Sequence, residues 1–120
     1  MKSPAEHFEE GVKLFNAGRF FECHEAWEEV WKRSEGDEKL FYQGLIQAAV
    51  AILHAERGNL AGAVSLYERA MVKLEPLPPV HEKLAIGELR IAMRNFIEKV
   101  TSQETEELPE RPKLRRIACD

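Results

Sequence analysis

The sequence predicts an all-α fold, a single-domain bundle of about five antiparallel helices (residues 1–100) followed by an extended C-terminal tail (101–120). Two patterns lead there. Apolar residues recur at three- and four-residue spacing in five separate segments, and no segment sustains the two-residue alternation of a half-buried strand. Glycines and prolines punctuate those segments and leave short connections, which favour antiparallel neighbours. Length sets the domain count: 120 residues make one domain, large enough to bury a core without disulfides or a structural metal.

The first helix opens at Ser3-Pro4-Ala5-Glu6, where Ser3 suits the cap, Pro4 the first helical position and Glu6 the reciprocal capping position. Phe8, Val12 and Phe15 form its apolar face, and Gly18 ends it. The second helix covers about Arg19 to Arg33 and stops at the turn Ser34-Glu35-Gly36-Asp37. The third runs from about Glu38 to Arg57 before Gly58. Asn59 caps a fourth, faced by Ala63, Leu66, Tyr67, Ala70 and Leu74 and broken by Pro76-Leu77-Pro78-Pro79. A fifth begins near Val80 and carries Ile86, Leu89, Met93, Phe96, Ile97 and Val100. Beyond Thr101 the periodicity fades, and Pro109 and Pro112 favour an extended chain.

Two segments resemble each other. In AGRFFECHEAWEEVWKR and RGNLAGAVSLYERAMVK, Gly18 matches Gly58, Phe20 matches Leu60, Trp27 matches Tyr67 and Glu28 matches Glu68. The spacing misses the tetratricopeptide period of about 34 residues, and two units make no solenoid. The expectation is therefore helical-hairpin packing similar to those repeats.

A formal charge of −4 with interleaved signs gives no global attraction for nucleic acid. The one basic cluster, Arg111, Lys113, Arg115 and Arg116, reads as a solvated tail able to touch a phosphate or an acidic neighbour. Cys23 falls on an apolar face and reads as a core residue, and Cys119 reads as a free thiol, which favours a reducing, cytoplasmic setting. The N-terminus lacks the apolar stretch of a signal peptide, and Leu40–Ala55 is too short and polar to span a bilayer, so no membrane partner is expected. A second copy or another protein is left open as a partner.

Chemistry concentrates in HEAWEEVWK, His24 to Lys32. At helical spacing Phe20, Cys23, Trp27, Val30 and Trp31 form a stripe that contains His24 and is flanked by Glu28, whereas Glu22, Glu25 and Glu29 point away. The third helix is apolar nearly all round, the mark of an enclosed element. Its Gln43, Gln47 and His54 share an arc of roughly 40°. Unpaired buried polar groups cost about 1–3 kcal/mol each, so these residues are expected to meet His24 and Glu28 in one interior cluster shielded by Trp31. Gly44, on a nearby face, would permit close helix approach.

Such a cluster admits a divalent metal. His24 and His54 would be nitrogen ligands, Glu28 an oxygen ligand or base, and Gln47 would orient a ligand or water; the set suits Zn, Fe, Mn or Ni. HEAWE is not the HExxH of zinc proteases, and the ExxH motifs of di-iron bundles are absent. The plainer expectation is a hydrogen-bonded network that fixes helix register in a non-enzymatic interaction module. No nucleophile has a matched base, since Cys23 and His24 are adjacent on one helix and do not face each other. Whether the protein is an enzyme is left open.

His24-x-x-x-Glu28-x-x-Trp31, together with FYQGLIQAAVAILHAERGN and the following GA, resembles domain-of-unknown-function family 309, small helical proteins of bacteria and archaea. The resemblance covers about Phe8 to Leu77. It implies a helical bundle and a candidate metal site at His24 and Glu28, and it implies no reaction.

Overall fold

The computed structural model describes residues 2–102 and 107–117. Among them the chain forms α1 (Pro4–Asn16), α2 (Phe20–Lys32), α3 (Gly36–Glu56), α4 (Leu60–Leu74), a hairpin of β1 (Val80–His81) and β2 (Leu84–Ala85), and α5 (Ile86–Ser102). Neighbouring helices pack in sequence order, α1 on α2, α2 on α3 and α3 on α4, with α5 resting on α4. The predicted all-α bundle is the fold, and the two resembling segments are the second helices of two successive hairpins, α1–α2 and α3–α4. Gly18 and Gly58 follow the first helix of each hairpin with φ of 77° and 81°, a left-handed turn that glycine makes without steric cost.

Local rules set the ends. The Ser3 hydroxyl accepts from the Glu6 amide at 3.1 Å while the Glu6 carboxylate accepts from the Ser3 amide at 3.3 Å, the reciprocal cap expected from the sequence. The Asn59 side chain accepts from the Gly62 amide at 3.0 Å and starts α4.

The core is aromatic where the first hairpin closes. Trp27 is fully buried, and its indole Nε1 donates to the Phe8 carbonyl at 3.2 Å. Phe15 meets Phe20 edge-on with centroids 5.3 Å apart. Gly11 makes the approach of α1 to α2 feasible: a Cβ there would sit 2.1 Å from Trp27 Nε1. A Cβ on Gly44 would lie 3.0 Å from Leu74 Cδ2, so the missing side chain permits close approach to α4 rather than to α2, the helix it was expected to admit. Cys23 is buried, and burial pushes its thiol pKa well above the ordinary range, consistent with a packing role. Cys119 lies outside the described residues.

Two expectations are corrected. The fifth helix begins at Ile86 rather than near Val80, because residues 80–85 pair as a two-residue antiparallel hairpin with Val80 opposite Ala85 and His81 opposite Leu84. Its turn residues Glu82 and Lys83 adopt φ of 52° and 59°, the two successive left-handed residues of a tight hairpin turn. Neither is the asparagine or glycine that usually announces such a turn. The basic tail is extended, as expected, but it is not simply solvated. Leu114 is buried, Leu84 pairs with Arg116 in an antiparallel bridge, and residues 111–117 form a strap along the bundle.

Candidate functional site

The polar residues singled out by the sequence are half-buried, and the structure gives His24 with Glu28, Gln47 and His54 separate partners. His24 Nε2 lies 3.4 Å from Glu28 Oε2, and their side chains are 33% and 40% exposed, far from the enclosed setting expected. Gln47 accepts from Lys73 Nζ of α4 at 2.9 Å. His54 Nδ1 lies 3.2 Å from the side-chain nitrogen of Asn59 at the α3–α4 turn. The single interior cluster of His24, Glu28, Gln43, Gln47 and His54 is therefore not formed.

The reason lies in how α3 is covered. Phe41, Tyr42, Leu45, Ala48, Ala49, Ile52 and their neighbours are buried against α2 and α4. The remaining stripe of Lys39, Gln43, Ile46, Gln47, Val50, Leu53 and His54 stays half-buried at the outer edge of the helix. A helix apolar nearly all round is thus enclosed on two sides, and its polar arc is the side left towards water. Lys39 Nζ sits 4.4 Å from the Trp31 ring centroid in a cation–π contact, and the buried Trp31 Nε1 has no hydrogen-bond partner among the described residues.

The three-ligand metal set expected of His24, Glu28 and His54 finds no support in the structure. Among the described residues no three His, Cys, Asp or Glu side chains gather closely enough to hold an ion, so His54 does not join His24 and Glu28. Two donors on one half-exposed helix face fall short of the three protein ligands a catalytic zinc requires.

A groove that the sequence did not point to lies elsewhere. It has a volume of about 740 Å³ between α4, the hairpin and α5, and it is lined by Tyr67, Met71, Val80, Ile91, Arg94 and others. Ile91 and Val80 are large apolar side chains with 54% and 48% of their surface exposed. Burial, opposed in part by the Arg94 charge, raises the Tyr67 phenol above its ordinary pKa. Arg94 forms no ion pair among the described residues. Arg115 and Ile117 of the strap complete the lining. One signal was legible: Ile91 falls off the apolar stripe of α5, so it had no core reason to be apolar. The hairpin that brings Val80 to the groove carried none.

Fold and surface together define the class: a small all-α domain of two stacked helical hairpins, extended by a fifth helix and a strap. Residues 8–66 match the family described as Domain of unknown function (DUF309), to which this segment of the chain is similar. It is similar to an uncharacterized protein of Aquifex aeolicus (strain VF5), 30% identical over 112 residues, which cover 92% of this chain and 32% of the relative. It is also similar to the uncharacterized protein YpuF of Bacillus subtilis (strain 168), 34% identical over 112 residues, covering 88% of this chain and 64% of the relative. The chain thus spans about a third of the first relative and less than two thirds of the second. No helix among the described residues is long and apolar enough to cross a membrane.

Proposed function

We propose that this domain is a protein-interaction module whose docking surface is the groove between α4, the hairpin and α5, and whose His24–Glu28, Gln47–Lys73 and His54–Asn59 pairs fix the register of neighbouring helices. The observation that carries the reading is the exposure of Ile91 and Val80 inside a concave, partly apolar groove. Clustered exposed apolar side chains with a polar rim are the usual signature of a binding surface. The groove suits a short amphipathic segment whose apolar side chains cover Ile91, Val80 and Met71 and whose carboxylate reaches Arg94. The similar stretch forms very different shares of the two relatives, as expected of a unit reused in different chains.

The test is a quantitative pull-down with wild-type, Ile91→Asp and His24→Ala chains. Ile91 is exposed, so Ile91→Asp is expected to leave the melting temperature unchanged and to remove the specific partner, while His24→Ala retains it. Elemental analysis of tag-free protein runs beside it. Stoichiometric metal that disappears in His24→Ala would favour a divalent-metal site of Zn, Fe, Mn or Ni at His24 and Glu28 over the interaction reading.

A further inference from the structure

The strap of residues 111–117 makes a set of contacts characteristic of a bound peptide. Asn16 grips the main chain of a single residue with both ends of its amide: its nitrogen donates to the Leu114 carbonyl at 2.9 Å, and its oxygen accepts from the Leu114 amide at 2.7 Å. The hairpin edge supplies a short ladder, with the Ala85 amide donating to the Arg115 carbonyl at 2.9 Å and the Ile117 amide donating to the Lys83 carbonyl at 2.8 Å. Leu114, 2% exposed, is the apolar anchor. Three carboxylates on three different helices then read the basic side chains. Glu56 of α3 takes Arg111 at 2.6 Å, Glu88 of α5 takes Arg115 through two hydrogen bonds at 2.8 and 3.1 Å, and Glu9 of α1 pairs with Arg116. Lys113 donates to the Asn16 carbonyl at 2.7 Å.

Main-chain bonds to a sheet edge, with pockets for side chains of the added segment, are how β-strand addition recognises an extended chain, and here basic side chains flank the buried Leu114. We infer that the seat of the strap is a recognition site for an extended basic segment of the pattern Arg-Pro-Lys-Leu-Arg-Arg, which the chain's own tail fills in cis. The occupant is argued from charge complementarity: three separate carboxylates converge on a strip where only basic side chains pair with all three. The three ion pairs that flank the buried leucine lie towards the surface, where such pairs are individually weak, so a competing basic segment can displace them. The tail acts as a tethered competitor whose effective concentration for short connections reaches the millimolar range. This reading does not rest on the groove, although Arg115 and Ile117 line both.

The experiment uses the full chain. Replacing Arg111, Arg115 and Arg116 together by Glu expels the tail by repulsion from Glu9, Glu56 and Glu88, and all three arginine side chains lie largely on the surface. A fluorescent peptide of residues 109–117, RPKLRRI with Pro109 and Glu110 before it, is titrated by anisotropy into this variant and into wild type. Tight binding is expected to the variant and at least 10-fold weaker binding to wild type. Adding Asn16→Ala to the variant is expected to weaken binding at least 10-fold, and a peptide with its basic residues replaced by Glu is expected not to bind. Equal binding to both chains, no binding to the variant, or indifference to Asn16 or to peptide charge would overturn the inference. Loss of the helical melt in the variant moves the same titration to Leu114→Asp, judged by the same outcomes.

Discussion

His24 and Glu28 sit one turn apart on a helix edge that water reaches, and their contact is an ordinary exposed pair. Pairs of this kind contribute about 0.3–0.5 kcal/mol. His24→Ala is therefore expected to lower stability by no more than about 1 kcal/mol, measured by urea denaturation at neutral pH; a loss of several kcal/mol would mean the pair is part of a buried network. Asn16 differs, because two hydrogen bonds to the Leu114 main chain depend on it and that segment is packed against protein. Asn16→Ala is expected to cost about 1–3 kcal/mol and to release Leu114 and Ile117 amides to solvent exchange before the bundle opens. The tyrosines give a pH effect with a definite sign. Burial raises Tyr42, with the Glu38 carboxylate adding to it, and burial raises Tyr67. Above the ordinary phenol value of about 10 the unfolded chain ionises first, so stability falls as pH rises through the higher folded values. Tyr42→Phe and Tyr67→Phe together are expected to flatten that alkaline decline in chemical denaturation.

The helices were legible because each carried its own periodicity and its own punctuation. Ser3 with Glu6, Gly18, Asn59 and the prolines after Leu74 place the ends of α1 to α4 within a few residues of where they lie. The hairpin was not legible, because Glu82 and Lys83 take left-handed φ without being asparagine or glycine, and strands of two residues are too short to alternate. That mismatch yields a prediction: Glu82→Asn with Lys83→Gly supplies the preferred residues for such a turn and is expected to stabilise the protein by about 1 kcal/mol in thermal denaturation. Gly11 was overlooked for the opposite reason. A glycine inside a helix reads as a weak helix former, while its purpose is the Trp27 ring across the interface. Gly11→Ala is expected to cost about 3 kcal/mol, since the indole and its hydrogen bond to Phe8 cannot both stay in place. Gly44→Ala, with its 3.0 Å contact to a movable leucine methyl, is expected to be far milder.

At the scale of the molecule, the sequence located the unusual residues of α2 and α3 correctly on their helices and misjudged which side of α3 would be covered. Periodicity tells which residues share a face, but it does not tell which neighbouring helix, if any, lies over that face. The same gap hid the strap: Leu114 within a basic run gave no sign of the Asn16 and β2 partners that lie far away in sequence. Strap and bundle are linked by charge, and Arg115 holds the Glu88 carboxyl below the ordinary carboxylate range. With a depressed folded pKa, that contribution is present at neutral pH and lost as pH falls below the ordinary value and through the lower one. The Leu114 and Ile117 amide shifts in NMR are expected to move towards exposed positions in that acid window, ahead of the helices.

A photo-crosslinking amino acid placed at position 91, on the exposed wall of the groove, puts the interaction reading to its sharpest trial in whole cells. A discrete adduct with one protein is expected, abolished by Val80→Asp and unchanged by His24→Ala. No adduct from position 91, or an adduct that His24→Ala removes while Val80→Asp leaves it intact, would contradict a docking groove between α4 and α5.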